Sequence, residues 1–159
     1  MSFRLGVKDS ELQSLLQGMV RAGRNMSAVN NSIALELVAE TEHAFKHQGV
    51  PTKWQTLAAA TIKSRSKRKT WPGKILQVSG GLAASVQPGS NESEARLHVG
   101  KVYAGIHQFG GKAGRGKNIK IPARPFAPFV ATSNVFREYR LTDAAHRAIM
   151  RLMVRHFTR

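Results

Sequence analysis

A chain of 159 residues, of which 42% are hydrophobic, is long enough to bury a core, and residues 1–159 are predicted to form a single domain. It has no cysteine, which excludes disulfides, thiolate zinc sites and cysteine nucleophiles, and no apolar run approaches the ~18 residues of a membrane helix, so no membrane partner is expected. With 25 Lys and Arg against 9 Asp and Glu, the formal net charge is +16, which favours an acidic partner or a charged assembly.

The N-terminal region, residues 10–48, is predicted to be helical. A first helix carries an apolar stripe within residues 12–20. A second helix is predicted to bury a face made of Met26, Val29, Ile33, Leu37, Thr41 and Phe45. Gly49 and Pro51 are expected to end this helix, and residues 55–62 to form a short third one.

The middle of the chain changes from helical to strand periodicity. Residues 63–74 form a predicted basic loop, and residues 75–130 a predicted β-rich core. Within this core, strands at 82–86 and 95–99 are expected to flank a turn at 88–91. A short helix is expected at 102–109, followed by a mobile Gly/Lys loop at 110–118 and a strand at 119–122.

A C-terminal helix is predicted over residues 142–159, capped by Thr142 or Asp143. Its inward face is expected to consist of Ala145, Ile149, Leu152, Met153 and Phe157. Its opposite face carries arginines at a spacing of four residues: Arg147, Arg151, Arg155 and Arg159. This ridge is either a solvated helix face or a surface for DNA phosphates or an acidic neighbour. The elements together predict an α+β fold with N-terminal helices, a small and partly barrel-like antiparallel β-sheet, and a C-terminal helix.

The charge is unevenly distributed along the chain. No acidic residue lies between Glu42 and Glu92 or between Glu94 and Glu138, and each gap carries eight Lys or Arg. The acidic residues are concentrated in the N-terminal third. A subunit with one acidic side and one basic side would suit head-to-tail packing of identical copies.

Catalytic and metal-binding patterns are sparse. The chain has no converging pair of carboxylates, no nucleophile-elbow serine and no complete phosphate-binding loop. His43 and His47 could supply half of a zinc site, but a solvated helix face is the preferred interpretation. His107 and Gln108 have no acidic partner nearby in the sequence, so a hydrolase that uses His107 is only a weak alternative. No cofactor is expected.

Two segments carry a recognisable pattern. The first contains Phe45, Gly49-Val50-Pro51, Trp54 and the later Ser79-Gly80-Gly81-Leu82. The second runs from Tyr103-Ala104-Gly105-Ile106-His107-Gln108-Phe109-Gly110-Gly111 to Ile121-Pro122-Ala123-Arg124-Pro125-Phe126. Together they resemble the phage virion morphogenesis family, which includes Mu-like morphogenesis and tail-completion proteins, and the resemblance spans nearly the whole chain.

This resemblance implies a structural virion protein without a chemical reaction. Such a protein would complete the tail at the neck and join it to the head as a hexameric ring. Its expected partners are the tail tube or its terminator, head-side connector proteins and, in passing, genomic DNA. It would be located in the host cytoplasm during assembly and in the virion afterwards. The alternative from another class is a basic protein that binds DNA or RNA without sequence specificity.

The candidate residues fall into two groups. The structural motif is predicted to comprise Trp54, Tyr103, His107, Gln108, Phe109, Pro122, Pro125 and Phe126. The assembly candidates are Arg124, Lys112, Arg115, Lys117, Lys67, Arg68, Lys69, Arg147, Arg151 and Arg155. The two prolines are expected to hold Arg124 towards a carboxylate or carbonyl group of the same subunit or the next. The His107 ring is expected to form a hydrogen bond with a backbone carbonyl.

Overall fold

The computed structural model describes residues 10, 13–14, 17–18, 26–131 and 139–157, without the side chains of residues 117, 131 and 157. Residues 10, 13–14 and 17–18 are helical and exposed, as predicted for the first helix. The predicted apolar stripe of that helix and Arg159 lie outside the described residues. Within those residues, no helix is both long enough and apolar enough to cross a bilayer.

The long helix α1, Ser27–His47, forms because its apolar residues recur at helical spacing. Its predicted inner face is confirmed, since all of the following are buried: Met26, Val29, Ile33, Leu37, Thr41 and Phe45. The helix ends at Gln48, which takes the left-handed conformation at φ 58°. Gly49 follows at φ 109°, where a Cβ atom would lie 2.5 Å from Thr52 O, so only glycine fits this turn.

The second helix, α2, spans Ala59–Lys67 and contradicts part of the prediction. Residues 63–67, assigned to a basic loop, continue the helix, and residues 55–58 precede it. Lysine and arginine are good helix formers, so a high basic charge alone does not indicate a loop. The chain then turns through Lys69, which has φ 56°.

The strands form three separate antiparallel pairs. They are β1 (Val86–Ser90) with β2 (Ala95–Val99), β3 (Gly111–Ala113) with β4 (Ile119–Ile121), and β5 (Phe129–Ala131) with β6 (Tyr139–Leu141). In the described part of the chain no strand pairs with a second neighbour, so the partly barrel-like sheet was a wrong prediction. Closing a barrel requires every strand to pair on both edges, which these isolated pairs do not do.

Two further strand predictions need correction. The first hairpin strand starts at Val86 instead of residue 82, and Pro88 lies inside it opposite Leu97. An unpaired edge tolerates proline, which explains why Pro88 does not turn the chain. The turn is made instead by Asn91, whose Oδ1 accepts bonds from the Ser93 and Glu94 amides at 2.8 and 2.9 Å. Likewise, the Gly/Lys segment 110–118 is not a continuous loop, because it contains β3.

The remaining helices are α3 (Ala104–Phe109) and α4 (Asp143–Phe157). Thr142 caps α4, because its Oγ1 accepts a hydrogen bond from Ala145 N at 3.3 Å. Helix α4 packs on α1, which also packs on the β1–β2 hairpin. The α4 core positions Ala145, Ile149 and Met153 are fully buried, as predicted. The fold is therefore α+β, with helices at both ends and small hairpins between them.

Candidate functional site

Gln108 is the central residue of the predicted motif. Its side chain is 2% exposed and makes four hydrogen bonds to the backbone. Oε1 accepts from the amides of Phe126 and Ala127 at 2.9 and 3.0 Å. Nε2 donates to the carbonyls of Ala127 and Phe129, both at 3.3 Å. Since this uses the full capacity of the amide group, Gln108 connects α3 firmly to residues 126–129.

Arg124 fastens the same region to the segment before α2. Its Nε donates to Gln55 O at 3.2 Å and its Nη2 to Thr56 O at 3.3 Å, so its partners are carbonyls of the same chain. The side chain is 6% exposed. Burial, and then the charge of Arg65, lower the pKa of the guanidinium. Of the predicted partners of Arg124, a carboxylate or carbonyl group on the same subunit or the next, the structure shows carbonyls of the same chain.

An aromatic cluster joins the two halves of the motif. Trp54 is buried, and its Nε1 donates to Pro125 O at 2.8 Å. The Trp54 ring meets Phe45 edge-on at 5.8 Å, and Phe45 stacks on Phe126 at 5.3 Å. The two segments that carry the family resemblance are therefore in direct contact, 71 residues apart in sequence.

His107 does not play the predicted role. The expected ring hydrogen bond is absent, because the buried Nδ1 has no hydrogen-bond partner among the described residues. The bond to the following segment is made instead by the backbone, where Arg124 N donates to His107 O at 2.7 Å. Burial, followed by the charge of Arg124, lowers the pKa of His107. The ring packs edge-on against Tyr103 at 5.8 Å.

The outer side of this region is apolar and exposed. Val102, Tyr103 and Phe109 are 79%, 42% and 39% exposed, respectively, while Ile106 is half-buried. Phe109 lies 5.0 Å from the ring of Tyr139. Residues 102–109 thus combine one side chain that is hydrogen-bonded in the core, Gln108, with three large hydrophobic side chains that are exposed.

The other assembly candidates are exposed but lie on separate elements. Lys67, Arg68 and Lys69 are at the end of α2, Lys112 and Arg115 are in the β3–β4 region, and Arg147, Arg151 and Arg155 follow one face of α4. The side chain of Lys117 is outside the described set. The ion pairs found in the described ranges are Arg96–Glu94 at 3.3 Å and Arg140–Asp143 at 2.6 Å, and neither includes an assembly candidate.

Sequence reasoning missed Gln48. Its Nε2 donates to Phe45 O at 2.8 Å and its Oε1 accepts from the backbone amide of Ile75. The side chain thereby connects the end of α1 to the chain beyond α2. Its position directly before Gly49 was the available signal for this role. That signal is weak, because a glutamine at the end of a helix can form many other contacts.

The geometry offers little for metal chemistry. His47 Nδ1 lies 2.9 Å from His43 O, and the two exposed rings are 4.0 Å apart. Among the residues that the structure describes, no group of three or more His, Cys, Asp or Glu side chains could hold a metal ion.

Two curated proteins and one family are similar to this chain in sequence. The chain is 34% identical over 116 residues to "Mu-like prophage FluMu G protein 2" of Haemophilus influenzae, covering 73% of this chain and 75% of that protein. It is 31% identical over 103 residues to "Putative capsid assembly protein G" of Escherichia phage Mu, covering 62% of this chain and 66% of that protein. No solved structure matches significantly. The sequence profile of one family matches residues 7–155, and the chain therefore belongs to the phage virion morphogenesis family.

Proposed function

We propose that this protein is a structural component of a tailed phage that completes the tail at the neck and joins it to the head, acting as a hexameric ring. Family membership supports a role in virion morphogenesis. The neck position, the ring and the absence of a chemical reaction are the proposal. Its partners would be the tail tube or terminator on one side and the head-side connector on the other.

One observation carries the proposal: the family motif is held together by hydrogen bonds within the chain and carries exposed hydrophobic side chains. All four hydrogen bonds of the Gln108 side chain, and the bonds from Arg124 Nε and Nη2, are made to backbone atoms of the same chain, so both side chains support the fold of the motif. Meanwhile Val102, Tyr103 and Phe109 are exposed on the outer side. Exposed aromatic and aliphatic groups held on a rigid support are typical of protein–protein contacts.

The decisive experiment uses a phage that lacks this gene. If the protein completes the tail, finished heads and finished tails should accumulate separately in its absence, and supplying the protein should restore joined particles. The name of the phage Mu relative refers to capsid assembly, and that role predicts the loss of finished heads instead. Counting heads, tails and joined particles by negative-stain electron microscopy distinguishes the two roles.

A surface variant tests the contact itself. Val102→Glu places a charge on the most exposed of the large hydrophobic residues, so we expect normal folding and a loss of joined particles. Leu35→Glu is the matched control, because Leu35 is 52% exposed but lies on α1. Equal particle yields for both variants would contradict the proposed contact.

A further inference from the structure

A second surface, the basic turn of residues 63–74, is not used by the proposed contact. It comprises the end of α2 and the chain that follows. Its exposed cations are Lys63, Lys67, Arg68, Lys69 and Lys74. Lys63 and Lys67 lie one helical turn apart on the same face of α2, about 6 Å along the axis.

The basic turn has a defined shape. Arg65 is its hub, because its carbonyl accepts bonds from the amides of Arg68 and Thr70 at 3.1 and 2.9 Å. The Arg65 side chain donates from Nη1 to Lys74 O at 3.2 Å, which closes the turn. The amide of Lys69 is also bonded, to Ser66 O at 3.0 Å. These bonds define the path of the backbone from which the exposed cations project.

Neither of the ion pairs in the described ranges, Arg96–Glu94 and Arg140–Asp143, involves a cation of the basic turn. No acidic residue occurs between Glu42 and Glu92. The positive charge of Arg65 also contributes, after the larger effect of burial, to the lowered pKa of Arg124. An arrangement of like charges of this kind favours the binding of an external polyanion.

The surface also lacks what a protein partner would need. None of the exposed large hydrophobic side chains of the described chain lies within residues 63–74, whereas protein interfaces have an apolar centre. Trp71 is half-buried, so it does not offer an open stacking face for single-stranded bases.

From these observations we propose that the basic turn binds the phosphate backbone of double-stranded DNA without reading its sequence. DNA carries a charge every ~1.7 Å along its axis, so cations spaced along α2 each find a phosphate. This site is independent of the neck position, because it would act wherever the protein meets DNA.

The test measures binding of the intact protein to a fluorescently labelled 20-base-pair duplex of random sequence, by anisotropy over a range of salt concentrations. The site variant combines Lys67→Gln, Arg68→Gln and Lys69→Gln. Glutamine suits position 69, because Gln48 adopts a similar left-handed conformation at φ 58°. The control combines Lys46→Gln, Lys101→Gln and Lys120→Gln, which removes the same charge from other elements.

We expect the site variant to lower affinity by about tenfold or more and to reduce the slope of log K against log salt by about 2.7, that is, 0.9 for each lost phosphate contact. The control should change both quantities much less. An equal loss of affinity in the two variants would contradict the assignment of the site to the basic turn. Failure of the wild-type protein to bind the duplex would also contradict it.

Two additional measurements complete the test. If the triple variant shows no melting transition, Lys67→Gln and Lys69→Gln are measured singly, each with an expected slope change of about 0.9. Displacement of the duplex by poly-glutamate at equal charge concentration would favour an acidic protein and overturn the DNA proposal. Normal particle joining by the site variant would leave the neck proposal intact, so the two proposals fail separately.

Discussion

At the scale of single residues, two neighbouring side chains of the motif differ in their hydrogen bonding: Gln108 is fully bonded, and His107 has a buried ring nitrogen without a partner in the described chain. All four hydrogen bonds of the Gln108 amide are made to buried backbone groups. The Nδ1 atom of His107 is buried without a partner in the described chain. Gln108 therefore stabilises the motif, whereas His107 makes its stability sensitive to protonation.

Gln108→Leu should destabilise the protein by about 3 kcal/mol or more, because it leaves the buried amides of Phe126 and Ala127 without their acceptor and removes a donor from two buried carbonyls. Urea unfolding followed by circular dichroism measures this change. The control is Gln87→Leu on the exposed part of β1, which should change stability by less than about 0.5 kcal/mol. Equal effects of the two substitutions would contradict the fastening role of Gln108.

His107 should make stability fall on the acid side of neutrality. Its pKa in the folded state is lowered from 6.5, so below that pH the unfolded chain takes up a proton that the folded chain resists. The melting temperature should therefore be highest above pH 6.5 and decrease as the pH falls through the lowered pKa. Charging the ring is opposed by its burial and by Arg124, while Tyr103 contacts the ring edge-on.

The variant His107→Phe isolates this effect from the other histidines. It keeps a ring against Tyr103 but cannot be protonated, so its melting temperature should fall less between pH 7.5 and 5.5 than that of the wild type. A parallel decrease in both proteins would show that His107 is not the responsible group.

At the scale of secondary-structure elements, α1 and α2 differ in how they are held. Helix α1 buries a continuous face against α4 and the first hairpin. Helix α2 has no buried residue and is held mainly by the bonds around Arg65 at its C-terminal end. Local stability depends on such burial, so the two helices should open with different free energies.

Hydrogen exchange should show this difference in the free subunit. Amides of residues 59–67 and 110–118 should exchange quickly, while amides of residues 37–45 should exchange slowly. In assembled virions, residues 63–74 and 110–118 should become protected if they contact neighbours or DNA. Equal protection of these segments in the free subunit and the virion would contradict their role in assembly.

At the scale of the whole molecule, the excess of positive charge constrains any assembly. Each subunit has a formal net charge of +16. A closed ring of such subunits needs acidic neighbours, counter-ions or DNA to offset their repulsion. Part of this charge is carried by the exposed arginines of α4, which are spaced four residues apart along the helix. They lie opposite the buried face of Ala145, Ile149 and Met153.

Replacing Arg151 and Arg155 with glutamate should leave the thermal melt nearly unchanged, because exposed charges contribute little to stability individually. It should lower the yield of joined particles while free heads and tails accumulate. The control is Lys46→Glu with Lys101→Glu, which changes the net charge equally. A normal melt with normal joining would reject an assembly role for this helix face.

The sequence by itself determined the two main helices and the family resemblance. Helical spacing of apolar residues identified the buried faces of α1 and α4, because this periodicity follows directly from the helix geometry. Proline and glycine located the end of α1. Charge, by contrast, was a poor guide to secondary structure, since residues 63–67 are helical despite their basic character.

Only the tertiary structure decided how the motif works. The bonds of Trp54 to Pro125 O and of Arg124 to Gln55 O connect residues 71 and 69 positions apart. The acceptors are backbone carbonyls, which every residue carries, so no residue type marks them in the sequence. The four bonds of Gln108 also go to backbone groups, so the sequence contains no pattern that would have revealed them. They nevertheless hold together the segment that the family resemblance identifies.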